Sequence, residues 1–293
     1  MSLIELMQKS NLGYHIGKTD IFLDGSGIAL YKCDGNANDE SGNHHGVETS
    51  ITYSVGIIDR CAVATSGKIN LGTKELVPSS SNFSFSAFMA KPLSTWTSLY
   101  SRDNSANPRG DGLFFNSSTK VFSFYFALTS STVSILTSPA TTIFDDGLLH
   151  SVVVSIDRTV KEVKIYLDGI LFFTSAMNAQ SISYDNGLNV CLFGTNNAVY
   201  DGKMDHIRFF NRVVTASEAY AIANEKKSVS IIYNVNTFCV GSLVGFYKMD
   251  GNLTDALGSY NGIANNITYG IGKFNQCAIF NGTDSYVTGT DLT

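Results

Sequence analysis

Apolar and polar residues alternate with a period of two in one short stretch after another from Ile28 to Phe210. In Asn82-Phe-Ser-Phe-Ser-Ala-Phe-Met, Phe83, Phe85 and Ala87 share one face. Leu113–Phe115 and Val121-Phe-Ser-Phe-Tyr-Phe repeat the pattern. Such alternation is the signature of a strand with two unlike faces. Ile28–Leu30, Ile51–Tyr53, Arg60–Ala64, Asn189–Phe193 and Met204–Phe210 read as further strands. Leu149-His-Ser-Val-Val-Val-Ser-Ile has few polar positions and is predicted to be central. Lys161 to Phe173 reads as strand, Asp168-Gly169 turn and strand, a strong hairpin signal. One segment, Thr215-Ala-Ser-Glu-Ala-Tyr-Ala-Ile-Ala-Asn, is helical in pattern, with Thr215 and Glu218 spaced as a capping box. Pro92 and Pro139 fall at expected turns. Many short strands separated by Gly, Asn and Asp turns predict an all-β sandwich.

The stretch from Ile28 to Gly42 occurs twice. Sliding the chain by 216 positions aligns Phe22–Ala62 with Phe238–Ala278 without a gap, and 17 of the 41 pairs are identical. They include Asp34/Asp250, Gly35/Gly251, Asn36/Asn252, Asp39/Asp255, Gly46/Gly262, Tyr53/Tyr269 and Cys61/Cys277. Solenoid repeats run to about 20–50 residues, so this is a domain starting again. We therefore expect an N-terminal segment over 1–24, one domain over 25–225, a linker over 226–240 and the opening of a second domain over 241–293. Leu3–Lys9 has the pattern of a short amphipathic turn and could serve as an anchoring peptide or simply fray. A longer protein that completes the second copy is the simplest continuation.

Composition narrows the class. Apolar residues make up 44% of the 293 and charged residues only 15%, a profile of turn-rich β structure. The formal net charge of -5 argues against nucleic acid, which calls for a basic face. No run of about 18 apolar residues exists to span a membrane. The N-terminus lacks the basic start and apolar core of a signal peptide. Five scattered cysteines, Cys33, Cys61, Cys191, Cys239 and Cys277, read as free buried thiols, consistent with synthesis in a reducing cytosol.

The order of these motifs carries a resemblance. Tyr31-x-x-Asp-Gly-Asn-x-x-Asp, then Phe-Ser-Phe-Ser-Ala-Phe-Met, Leu149-His-Ser-Val-Val-Val, Ile165-Tyr-Leu-Asp-Gly and Asp201 to Glu218 together resemble the laminin-G-like branch of the concanavalin A-like lectin/glucanase superfamily. The resemblance covers about residues 25–224 and resumes at 241. Phe88-Met89 stands where that family usually has Trp, which keeps an apolar core position. Asp20-Ile-Phe-Leu-Asp-Gly-Ser-Gly-Ile-Ala-Leu-Tyr is also similar to repeats in bacteriophage tail-fibre and virion-surface proteins. The resemblance implies a two-sheet antiparallel jelly roll that binds glycans or proteins, often holds calcium and usually lacks catalysis.

Two candidate sites follow. Asp34, Asn36 and Asp39 offer several oxygens within six residues, and the family's architecture would bring Asp205 beside them, so a calcium ion could staple the two ends of the domain. The alternative is that these side chains only satisfy turn backbone. For carbohydrate, Trp96, Tyr100, Arg102 and Asn104 combine rings with polar groups in a Thr/Ser-rich segment, with core packing as the alternative for the rings. Phe114 and Tyr125 are expected in the core, and Tyr200 is a further ring to place. Arg109-Gly110-Asp111 reads as a coincidental tripeptide, and His44-His45 as a solvated pair that the second copy replaces with Tyr260-Asn261. No paired-carboxylate pattern of the glucanase type and no Ser/His/Asp or Cys/His signature appears. The expectation is a non-enzymatic module on a virion surface, homo-oligomeric, recognising a host glycan or protein beside other virion proteins. The alternative is a purely structural decoration or connector protein.

Overall fold

The structure is a computed structural model that describes residues 19–92, 95–104, 110–129, 133–177, 187–225, 246–255, 260–271 and 276–289. The chain forms two compact units, Met1–Ser230 and Ile231–Thr293. The expected N-terminal turn over 3–9 and the linker over 226–240 lie outside the described residues.

Among its described residues the first unit is all-β apart from one helix and a short 3-10 turn at Ile143–Asp146. Its strands are β1 (Gly27–Tyr31), β2 (Val47–Val55), β3 (Arg60–Asn70), β4 (Phe83–Ala90), β5 (Trp96–Ser101), β6 (Gly112–Asn116) and β7 (Val121–Ala127). They continue with β8 (Val133–Thr137), β9 (His150–Asp157), β10 (Glu162–Leu167), β11 (Ile170–Ala176), β12 (Cys191–Leu192) and β13 (Tyr200–Phe210). A helix, α1, spans 216–225. All pairings are antiparallel, and the neighbours run β11-β10-β9-β4-β13-β3-β12-β5-β6-β7-β8. β1 adds to β13 and β2 to β3. The path folds back on itself at β3, so Phe83 and Phe85 of β4 meet Tyr100 of β5 across the core at 5.7 and 5.3 Å. This is a concanavalin A-like jelly-roll sandwich.

The alternation read in the sequence shows why. Phe83, Phe85 and Ala87 of β4 point into the main core with Val152, Val154 and Ile156 of β9. The serines between them are also buried, because α1 covers the other face. Ser84 Oγ donates to the Arg212 carbonyl at 2.7 Å and accepts from the Val214 N–H at 2.9 Å. Ser155 Oγ donates to the Val214 carbonyl at 2.9 Å. The Ser84 and Ser155 hydroxyls are thus paired with the chain entering the helix, which offsets their desolvation cost, whereas the Ser86 and Ser151 hydroxyls are buried without a hydrogen-bond partner. The capping box forms: Glu218 accepts from the Thr215 N–H at 2.8 Å, and Thr215 Oγ1 accepts from the Glu218 N–H at 3.4 Å. The hairpin turn places Asp168 and Gly169 at φ of 46° and 82°, the paired left-handed geometry of a two-residue turn.

Arg208 leaves β13 on the α1 side and meets Glu225 in two parallel hydrogen bonds of 2.7 Å, both side chains fully buried. Removing one member of such a pair strands a buried charge at a cost of about 3–5 kcal/mol. Glu225→Ala should therefore lower the free energy of unfolding by about that amount in urea titration. A loss under about 1 kcal/mol would show the pair to be idle.

Burial alone would raise the Glu218 pKa, but hydrogen bonds from Arg212 and Thr215 outweigh it and bring the pKa below the ordinary value of 4.5. A carboxylate with a depressed folded pKa contributes stability above its unfolded pKa and loses it as pH falls. The loss begins near pH 4.5 and continues below it. Glu218→Gln should flatten the acid side of the stability profile in that window and leave its slope near neutrality unchanged.

Candidate functional site

The residues expected to bind calcium are held by other partners. Asp39 is buried, and its carboxylate accepts from the Leu30 N–H at 3.0 Å, the Ser41 N–H at 3.1 Å, the His44 N–H at 3.1 Å and the Ser41 hydroxyl. Asn36 Oδ1 accepts from the Asn38 N–H at 2.9 Å, and Asp34 Oδ1 from the Arg60 N–H at 3.1 Å. Asp205, fully buried, accepts from the Ile57 and Ile58 N–H groups at 2.7 and 3.2 Å and pairs with His206 Nδ1 at 3.1 Å. Burial raises the Asp34 pKa, with Asp59 and Asp205 adding to the rise. Asp205 does staple the closing strand to the β2–β3 turn, but through backbone N–H groups. Among the described residues no group of three or more His, Cys, Asp or Glu side chains could hold a metal ion. Calcium needs six to eight oxygens turned toward one point, and these carboxylates turn toward N–H donors instead. Asp34, Asn36, Asp39 and Asp205 are thus each engaged by N–H groups of the protein itself. Chelator should leave the melting temperature unchanged, and saturating calcium should not raise it; a shift of several degrees would expose a ligand set outside the described residues.

The four residues expected to bind carbohydrate also separate. Tyr100, 2% exposed, packs against Phe83 and Phe85 in the core. Burial, with Asp111 close by, pushes its pKa far up. A bulge between Ser98 and Tyr100 turns Leu99 and Tyr100 inward together, which simple alternation does not anticipate. Arg102 is buried and lines an open cavity of about 330 Å³ with Lys74, Ser80, Asn82 and Asn211. Asn104 is half-buried. Asp111 of the Arg-Gly-Asp tripeptide is buried and paired to Arg158 at 3.0 Å, while Arg109 lies outside the described residues.

Trp96 belongs to a different surface. Register aligns Trp96 with Asn116 and Val121, Ser98 with Phe114, Ser123 and Thr137, and Gly112 with Tyr125 and Ile135. Facing residues of paired strands share a face, so these rows form the outer surface of β5–β8. Phe114 lies outside both core clusters. Its ring meets Tyr125 edge-on at 5.0 Å and Tyr200 at 6.4 Å. Gly112 leaves room for it, since a Cβ there would sit 2.6 Å from the ring. Trp96, Tyr125 and Tyr200 are each half-exposed. The core expectation is thus corrected for Tyr125, whereas Phe114 is buried as expected, at 6% exposure, beneath the half-exposed rings. The signal was present: Tyr125 has the parity of Ser123, opposite to the inward Phe122, Phe124 and Phe126. The arrangement is a floor of rings edged by small hydroxyl residues, a surface suited to the apolar face of a polar ligand.

Residues 63–219 match the laminin G model of the concanavalin A-like lectin/glucanases superfamily. The chain belongs to that superfamily. No curated protein matches the chain. Three solved structures share the concanavalin A-like fold at low identity. The binding domain of Paraclostridial mosquitocidal protein 1 is 14% identical with a TM-score of 0.53, covering 89% of this chain and 69% of that one. The binding domain of botulinum neurotoxin DC, in complex with SialylT, is 11% identical with a TM-score of 0.51, covering 69% and 51%. Domain 4 of the extracellular GH43 arabinanase AbnA from Geobacillus stearothermophilus, in complex with arabinotriose, is 19% identical with a TM-score of 0.50, covering 67% and 97%. At these identities the likeness concerns the fold of this laminin-G-like sandwich.

Proposed function

We propose that the chain is a non-enzymatic glycan-binding module whose ligand lies across the outer face of β5–β8. The observation that carries this reading is the placing of Trp96, Phe114, Tyr125 and Tyr200 on one sheet face, outside both cores. The half-exposed rings of Trp96, Tyr125 and Tyr200 present apolar surface to the C–H face of a sugar, and the hydroxyls of Thr137 and the two tyrosines meet its polar rim. The arabinotriose and SialylT complexes of the two fold neighbours are in keeping with this ligand class. The finer reading is an adhesin on a virion surface, directed at a host-cell glycan. It rests on the likeness of Asp20–Tyr31 to tail-fibre repeats.

Trp96 is the sole tryptophan of the chain, so its emission reports on this face directly. Glycan-array hits should quench or shift that emission in titration, and Tyr125→Ala should weaken binding at least about tenfold, or about 1.4 kcal/mol, at unchanged melting temperature. An array without hits, or a hit whose affinity ignores Tyr125→Ala, overturns the reading.

A further inference from the structure

The cavity beside Arg102 shares no lining residue with the aromatic face of β5–β8. Its walls come from four places in the chain: Ile28 of β1, the β3–β4 connection, Arg102 just after β5, and Asn211 just after β13. The β3–β4 connection is anchored on both sides of its serines. Before them, Leu76 and Val77 are fully buried, and the Pro78 carbonyl accepts from Arg158 Nη2 at 3.2 Å. After them, Asn82 Oδ1 accepts from the Arg158 N–H at 2.8 Å. One arginine thus clamps both ends of Ser79-Ser80-Ser81, and its Nη2 also meets Asp111 at 3.0 Å. The Arg102 N–H donates to the Asp111 carbonyl at 2.7 Å, which prolongs the β5–β6 ladder by one bond. The Asn211 N–H donates to the Ser26 carbonyl at 3.0 Å. A cavity whose walls are fixed in advance spares a ligand most of the ordering cost of binding.

The lining has a definite chemistry. Arg102, only 1% exposed, and half-buried Lys74 bring two cations to it. Among the described lining residues the one carboxylate is Glu75, which is exposed, and neither Asp103 nor Asp111 lines the cavity. A charge against low-dielectric walls keeps its field, whereas one in water is screened, so the cations prevail inside. Ile28 and Phe83 add apolar surface, and Ser79, Ser80, Asn82 and Asn211 add hydroxyl and amide groups. The volume of about 330 Å³ lies at the lower end of the ~300–1,000 Å³ of small-molecule sites, enough for one compact molecule.

We propose that this cavity is a second ligand site, for a single acidic sugar residue held through its carboxylate. A guanidinium offers a carboxylate charge-assisted hydrogen bonds about twice as strong as neutral ones, and Lys74 adds a point charge. The serine and amide groups suit the ring hydroxyls, and Ile28 and Phe83 suit its C–H surface, which a bare inorganic anion would leave unused. A free uronic acid and the terminal residue of an acidic glycan share this chemistry. The site does not depend on the glycan reading of the β5–β8 face, and the two fail separately.

Calorimetric titration of the full chain with glucuronate should saturate, with an affinity at least about tenfold above those of glucose, acetate and inorganic phosphate. An oligosaccharide ending in glucuronate that binds equally well assigns the cavity to the end of a glycan, and one that fails to bind assigns it to the free acid. Arg102→Gln removes a buried cation and can cost the fold, so the deciding variant is Ser80→Glu, at an exposed position. It should weaken glucuronate at least about tenfold at unchanged melting temperature. Tyr125→Ala should leave the glucuronate affinity as it is, which keeps this outcome apart from that of the aromatic face. Glucose, acetate or phosphate binding as tightly as glucuronate, an affinity indifferent to Ser80→Glu, or a titration that does not saturate overturns the proposal.

Discussion

The first unit hangs on one strand. β13 pairs with β3 through its first half, with β4 along its second, and with β1 at its end. It therefore closes the two ends of the domain and joins the layer under α1 to the layer that bears the aromatic face. A bulge between Asp205 and Arg208 makes this possible. It lets Asp205 turn to the β2–β3 turn and Arg208 to α1, two buried charges each met by designated partners. Charges so placed are costly unless paired, and Arg208 is met through both terminal nitrogens while its Nε is buried without a partner, so the geometry around β13 is stringent.

The same requirement explains the Asp-Gly-Asn turn. Its side chains look like metal ligands in sequence, being oxygens crowded into a few residues. In the fold they do the work of backbone acceptors: Asp39 alone receives three main-chain N–H groups and thereby shapes the chain from Leu30 to His44. The second unit repeats this with Asp255, on Phe246 and Tyr260. A turn that rebuilds itself in a second sequence context, with Asn261 standing in for His45, is a local structure fixed by its own hydrogen bonds.

The binding surface arises differently. β5–β8 carry many aromatic residues, and all but a few fill the core, where Phe115 and Phe122 each meet Phe144 of the 3-10 turn edge-to-face. Those left on the outer face come from β5, β6, β7 and the start of β13, which are distant in the chain. A rigid sheet fixes their spacing, and a sheet whose inner face is a packed core cannot easily rearrange it.

What the sequence alone determined was everything set by local periodicity and turn chemistry: the all-β class, the Asp168-Gly169 hairpin, the capped helix after Thr215 and the duplication at 216 residues. Each depends on neighbours within a turn or two, so the residues themselves carry the signal. The side of the sheet on which Tyr100 falls was decided only in three dimensions. A single bulge at Ser98–Tyr100 reverses the parity of the end of β5, and α1 buries the serines that alternate with Phe83, Phe85 and Ala87. The partners of Asp34, Asn36, Asp39 and Asp205 were likewise a matter of tertiary structure, because an oxygen serves a metal or an N–H according to what the fold brings within 3 Å of it.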